Sequence, residues 1–234
     1  MLRHWLQGLF AALPSQCLVC HAWPAQPVCE ACVQRFAQPQ PRCPTCALPL
    51  PVGVPRCGIC LKTPPPLDAC LTAVAYAFPW SDLIADYKFH QQPGRAAALA
   101  LLLRSTPWVE PALEAADLVL PMPLSPQRLQ TRGFNQALVL AHHLAPGKTE
   151  HRLLLRIKDT PPQRTLKRHE RLTSVQDAFA VEPLRHTQIQ GARVVLVDDV
   201  MTSGASLFAA ARALRAAGAA HITGVVLART DRPH

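Results

Sequence analysis

Two patterns of hydrophobic and polar positions divide the chain. Beyond residue 71, short unbroken apolar runs alternate with longer stretches in which apolar residues recur at helical spacing. DLVLPMP (117–123), ARVVLVDD (192–199) and ITGVVLA (222–228) are continuous runs of strand length, which predicts strands buried on both faces. FNQALVLAHHLA (134–145) and ASLFAAARALRAAG (205–218) read as helices, and the second stops at Gly218, a normal helix terminator. Strand–helix–strand alternation predicts an α/β domain with a parallel sheet flanked by helices. At the other end, Leu2, Leu6, Leu9, Phe10 and Leu13 sit near helical spacing and predict an amphipathic opening helix. Arg3 and the short apolar run after it have features of an export signal. Gln7 interrupts the run, however, Pro14 ends it, and no clear small-x-small cleavage site follows. No stretch of 18 or more apolar residues lacks charge, so no membrane span is expected.

Residues 14–70 follow neither pattern. They are rich in proline and poor in large aliphatic side chains, and a segment this small cannot hold itself together by burial alone. Eight of the nine cysteines fall here, as Cys17/Cys20, Cys29/Cys32, Cys43/Cys46 and Cys57/Cys60. Each pair is C-x2-C, with 8, 10 and 10 residues between pairs. Two residues between thiolates let a tight knuckle turn aim both sulfurs at one ion, and two knuckles complete a tetrahedron. Four knuckles therefore predict two closed structural Zn2+ sites, with Pro44 and Gly58 suited to the turns. The short first gap favours sequential sites, Cys17/Cys20/Cys29/Cys32 and Cys43/Cys46/Cys57/Cys60, with a cross-braced pairing as the alternative. Disulfides would need an oxidising compartment, and a redox C-x-x-C usually occurs once beside a βαβ unit rather than four times. Cys70 has no partner in this pattern and is expected to be a small buried hydrophobe. The expected organisation is a zinc-ribbon module with its helix over 1–70 and an α/β domain over 71–234.

Composition adds a constraint on ligands. The 234 residues are 49% hydrophobic and 17% charged, which is globular rather than disordered, and the net charge of +9 suits a polyanionic partner without choosing one. The choice is sharpened by VVLVDDVMTSGAS, residues 194–206. An apolar strand is expected to end at Asp198 and Asp199, and a turn through Thr202, Ser203, Gly204, Ala205 and Ser206 opens a helix. That places carboxylates at the carboxyl end of a parallel strand, where ligands bind in open α/β sheets. It also places backbone N–H groups and hydroxyls at a helix start, an anion cradle. Carboxylates for hydroxyls beside a cradle for phosphate suit a phosphorylated sugar. Neither GxxxxGK[ST] nor GxGxxG occurs.

The 13 residues resemble the signature of type I phosphoribosyltransferases, which bind phosphoribosyl pyrophosphate (PRPP). Three further segments sharpen the likeness: Tyr87-Lys88-Phe89 after SDLIADY, PMPLSPQRLQTRGFNQA (121–137), and the basic RIKDTPPQRTLKRHERLTSVQDAF (156–179). In this order, behind four cysteine pairs, they resemble the ComF family (ComFC and GntX-type proteins) along essentially the whole chain.

The resemblance implies specific roles. Asp198 and Asp199 would hold the ribose 2′- and 3′-hydroxyls, and Thr202 to Ser206 the 5′-phosphate. Ser125, Arg128 and Arg132 would face the pyrophosphate, guanidinium groups being suited to bidentate phosphate contacts. Lys88 would add charge there. The basic segment, which over 156–173 carries Arg156, Lys158, Arg164, Lys167, Arg168 and Arg171 against Asp159 and Glu170, would close as a lid. Residues 71–116, alone or together with the zinc module, would form the hood that selects the acceptor. Mg2+ would arrive with PRPP, and the reaction would displace pyrophosphate at C1. The family also implies natural competence, with cytoplasmic handling of incoming single-stranded DNA beside other competence proteins. The alternative function is a non-catalytic DNA-handling protein that keeps the PRPP-binding fold.

Overall fold

The computed structural model describes residues 15–89, 92–158 and 177–231. The chain forms two compact units, Met1–Gln38 and Pro39–His234. The expected opening helix lies outside the described residues.

In the first unit, an isolated bridge between Ser15 and Ala25 closes a loop around Cys17 and Cys20, and helix α1 (Glu30–Phe36) follows Cys29. In the larger unit, Arg42 and Pro49 close an equivalent loop around Cys43 and Cys46, and α2 (Gly58–Lys62) follows Cys57. The boundary at Gln38 differs from the division expected at residue 70. The reason is burial: Cys43, Cys46, Cys57 and Cys60 share one hydrophobic cluster with Met201, Leu207 and Leu214 of the α/β domain.

The α/β part runs β1 (Ala69–Ala75), α3 (Trp80–Phe89), α4 (Ala96–Arg104), α5 (Val109–Ala115), β2 (Leu118–Pro121), α6 (Pro126–Arg132) and α7 (Gln136–Leu144). It continues through β3 (Leu154–Arg156), β4 (Phe179–Val181), β5 (Arg193–Met201), α8 (Ala205–Ala216) and β6 (His221–Arg229). Strands β1, β6, β5 and β2 form a parallel sheet in that order, and β3 and β4 pair antiparallel. The apolar runs predicted β2, β5 and β6, of which the inner strands β6 and β5 are covered on both faces. Alternate residues point to opposite faces. Val194, Leu196, Ile222 and Val226 join the cluster with α8, while Val195, Val197, Val225 and Leu227 are buried on the other face.

Strand β1 departs from expectation, because residues 71–75 were assigned to the hood. They are instead an edge strand of the main sheet, pairing with β6 from Ala69↔Thr223 to Ala75↔Arg229. The run ACLTAVA is small and only half-buried, alternating between intermediate and buried positions, as an edge strand does. Cys70 is buried, as expected, with its sulfur 3.7 Å from Met201 Sδ.

Candidate functional site

The site lies at the carboxyl edge of the parallel sheet. Strand β5 was expected to end at the two acids but continues to Met201, because β6 keeps pairing beside it as far as Met201↔Arg229. The acids therefore sit inside the final stretch of a strand, and alternation turns them to opposite faces. Asp198 is half-buried and Asp199 is 2% exposed. Asp198 Oδ1 accepts from Asp199 N at 2.9 Å, and Asp199 Oδ1 accepts from Val200 N at 2.7 Å. Lys88 Nζ lies 2.9 Å from Asp199 Oδ2, an ion pair off the axis of a hydrogen bond, so that oxygen keeps acceptor capacity. Burial first, and the Asp199 charge second, push the Asp198 carboxyl above the ordinary carboxylate range.

After Met201 the chain turns sharply into α8. Gly204 caps the helix at φ 83°, where a side chain is disfavoured. A Cβ there would lie 2.6 Å from Met201 Cε and 2.7 Å from the Phe208 ring. The glycine is thus required both by conformation and by space. Ser203 Oγ accepts from Ala205 N at 3.3 Å, and Thr202, Ser203 and Ser206 are partly exposed around the opening turn. Gly204, Ala205 and Ser206 form the opening turn of α8, the end of a helix that favours an anion.

Neighbouring strand β2 ends at the same edge, and Met122 N donates to Val197 O at 2.9 Å. Ser125 is buried as the N-cap of α6, accepting from Arg128 N at 3.4 Å. Helix α6 ends at Gly133 in the left-handed region, and Asn135 then caps α7 by accepting from Ala137 N and Leu138 N. Asn135 Nδ2 also donates to Met122 O at 3.1 Å, which ties this turn to the strand end.

Helix α3 brings in the third segment. The Tyr87 hydroxyl donates to Gln136 O at 2.8 Å, and its ring meets Phe134 edge-on at 5.5 Å. The Arg132 guanidinium lies 5.2 Å from the centre of the Phe89 ring. The structure therefore gathers Lys88, Ser125, Arg128, Arg132, Asp198, Asp199 and residues 202–206 on elements that meet at one sheet edge. It does not extend this to the basic segment. Lys158 makes an exposed 3.6 Å ion pair with Asp177, and Arg156 packs 5.4 Å from the centre of the Phe179 ring. Arg164, Lys167, Arg168 and Arg171 lie outside the described residues.

The cysteines form two sets, Cys17/Cys20/Cys29/Cys32 and Cys43/Cys46/Cys57/Cys60, with all four sulfurs of a set within 4.8 Å of one another. This is the sequential pairing. The Cys20–Cys29 and Cys46–Cys57 sulfurs are 3.6 Å apart. Thiolates ~2.3 Å from a tetrahedral zinc would be ~3.8 Å apart, so the donor sets fit that ion. All nine cysteines are free thiols. Only two of the four pairs are knuckles, each with a residue at positive φ after its second cysteine, His21 and Ala47. Cys29 and Cys57 instead precede helices, so Gly58 opens α2 rather than forming a turn. In each set burial opposes ionisation of the first sulfur, but surrounding N–H groups outweigh it and bring Cys17 and Cys43 to about 6. Burial pushes Cys32 and Cys46 upward.

Two further residues were missed in the sequence. Asn135 could have been read as a helix cap before an apolar run. Arg229 carries no motif; its only signal is a cation closing the apolar run ITGVVLAR.

Comparison with known proteins agrees with this picture. The phosphoribosyl transferase domain family matches residues 153–234. The DNA utilization protein YhgH of Escherichia coli (strain K12) is 32% identical over 182 residues, covering 73% of this chain and 76% of that protein. Competence protein F of Haemophilus influenzae is 32% identical over 178 residues, with the same coverage of 73% and 76%. Competence protein ComFC of Bacillus subtilis is 35% identical over 113 residues, covering 48% of this chain and 44% of that protein. With a phosphoribosyltransferase-type sheet edge behind two four-cysteine clusters, and relatives matched over most of both chains, the chain belongs to the ComF family.

Proposed function

We propose that this protein binds PRPP with Mg2+ and transfers or senses its phosphoribosyl group in the handling of incoming DNA during natural competence. One observation carries the reading: two carboxylates sit in the last stretch of a parallel strand, shortly before a glycine-shaped turn into a helix. The Asp198 and Asp199 oxygens accept hydrogen bonds from ribose hydroxyls, and the amides from Ser203 to Ser206 donate to the 5′-phosphate. Ser125, Arg128 and Arg132 face the pyrophosphate, and Lys88 moves from Asp199 toward that charge. Lys88 faces only Asp199, so Mg2+ would be held mostly by PRPP oxygens and water, with at most one carboxylate. The ion would neutralise the leaving pyrophosphate. The basic residues Lys158, Arg164, Lys167 and Arg171 close over it as a lid. Bond breaking at C1 develops oxocarbenium character and needs no covalent nucleophile, only stabilisation of the leaving group.

Each four-cysteine set holds one structural Zn2+, and cysteine use on this scale without disulfides suits the reducing cytoplasm. Among the described residues no helix is long and apolar enough to cross a membrane. The names of the relatives, DNA utilization protein and competence protein, support DNA as a substrate or partner, which we take to be single-stranded, and a role beside other competence proteins. The net charge of +9 suits such a polyanion. A second reading, a non-catalytic protein that binds PRPP while handling DNA, rests on the same names.

Titration calorimetry with PRPP and Mg2+ tests the site. Asp198→Asn and Asp199→Asn should each weaken binding, and parental affinity in both variants refutes the assignment. Pyrophosphate release across purine, pyrimidine and amine acceptors separates enzyme from sensor. For DNA, log affinity should fall with log salt by about 0.7 per neutralised phosphate. Asp199→Asn should leave that affinity unchanged or slightly raised.

A further inference from the structure

The final strand ends in a cation that water scarcely reaches. Arg229 is 4% exposed, and a guanidinium so buried must be satisfied within the protein. Its acceptors are backbone carbonyls. Nε donates to Cys46 O at 2.9 Å, and Nη1 shares its two hydrogens among Met201 O at 3.0 Å, Thr230 O at 2.7 Å and Thr202 O. Cys46 supplies a sulfur to the second cysteine cluster, and Met201 and Thr202 begin the turn around Gly204. One planar group therefore grips the cluster and the turn together.

A second connection runs parallel to the first. Cys70 N donates to Pro44 O, inside the same knuckle, at 2.7 Å. The Cys70 sulfur meets Met201 Sδ, and the Met201 methyl occupies the space beside Gly204. The knuckle itself is clipped by Arg42 Nη1 donating to Ala47 O at 3.0 Å. A shift of the knuckle carbonyls thus has two routes to the turn, both made of close contacts in a packed core that deforms little.

We propose that Arg229 is a positioning residue through which metal held by Cys43, Cys46, Cys57 and Cys60 sets the shape of the phosphate turn. Occupancy of that cluster then governs affinity for PRPP, and bound PRPP strengthens the hold on that metal by the same factor, as linkage requires. The ligand in this statement rests on the PRPP reading above; the mechanical coupling does not.

The test uses the full chain carrying Cys17→Ser, so that the zinc measured belongs to the second cluster. Stripping it with a chelator should speed amide hydrogen exchange at residues 202–206 and lower PRPP affinity about tenfold, within the usual range of coupling between sites. PRPP should slow zinc release by a matching factor. Arg229→Lys, which keeps the charge but lacks the guanidinium's planar array of donors, should retain zinc while PRPP no longer slows its release. A purely structural role would leave that reciprocity intact. The chelation arm needs no change at Arg229, so a poorly folded variant does not shelter the idea. Turn amides indifferent to zinc removal would overturn the coupling, as would PRPP that binds without altering zinc release. If the amides respond but PRPP fails to bind the parent protein, the coupling is supported and the ligand assignment falls.

Discussion

The two four-cysteine clusters are alike in spacing but differ in their surroundings. In the first, Cys20 is exposed and Cys29 half-exposed, and the cluster belongs to a small unit with one short helix among its described residues. In the second all four cysteines are buried, and their neighbours include Leu48, Leu67 and Cys70 in the core of the α/β unit. Identical ligand chemistry can therefore organise a small module that has little else or be built into a larger core. With zinc bound as proposed, the first would draw much of its stability from the metal. The second shares its stabilisation with the hydrophobic burial around it.

Breaking one cluster at a time gives the largest expected effect. Cys43→Ser should lose one zinc and lower the melting temperature of the α/β unit, at a cost of several kcal/mol, because an unfilled cluster leaves buried sulfurs in a packed core. Cys17→Ser should also lose one zinc while that unit's transition stays near its parental temperature. Elemental analysis with calorimetry reads both, and equal shifts from the two variants would erase the distinction.

A sharper version leaves the cysteines alone. Gly204→Ala should keep two zinc ions per chain yet lose PRPP binding, with a stability cost of about 1–3 kcal/mol from the disfavoured φ and the clash with Met201 and Phe208. Unchanged PRPP affinity in this variant would remove the turn from the site. Release kinetics should separate the clusters more gently. A colorimetric chelator should draw zinc in two phases, the faster one absent from Cys17→Ser because exposed Cys20 is open to attack. A single phase would mean that burial does not control metal loss.

The smallest effect belongs to a surface ion pair of the larger unit. Arg185 Nη2 donates to Glu150 Oε2 at 2.6 Å, and this hydrogen bond holds the Glu150 carboxyl at about 2. A depressed carboxyl stabilises the fold above its unfolded pKa near 4.3, and the gain is lost as pH falls from there through about 2. Glu150→Gln should slightly flatten acid unfolding in that window. An unchanged acid profile would show that the pair is screened by solvent.

What could be read from the sequence follows from how locally each feature is encoded. Inner strands were legible because both faces are covered, so every position in VVLV is apolar. Edge strand β1 was not, since Cys70, Thr72 and Val74 alternate with half-exposed small residues in a weak pattern. The acids and the turn were legible because one continuous segment carries them. The orientation of the acids was not, because only the pairing with β6 shows that the strand continues to Met201. Cysteine pairing followed from spacing, whereas the burial of the second cluster depends on residues more than a hundred positions away. Arg229 was invisible for the same reason: its acceptors at Cys46 and Met201 are distant in sequence.

The ion pair between Lys88 and Asp199 makes ligand discrimination a matter of exchange rather than simple addition. A sugar hydroxyl that bonds Asp199 competes with an ammonium 2.9 Å from the same oxygen, so a ligand that returns something to both groups gains most by it. On the proposed reading, a ribose hydroxyl satisfies the acid while the pyrophosphate receives the lysine. A sugar phosphate without the hydroxyl facing Asp199, or one without the pyrophosphate, offers half of that exchange and strands one charge in a poorly solvated place. On that reading the lysine already holds the acid, and deoxyribose and monophosphate compounds would be disfavoured before any steric fit is considered.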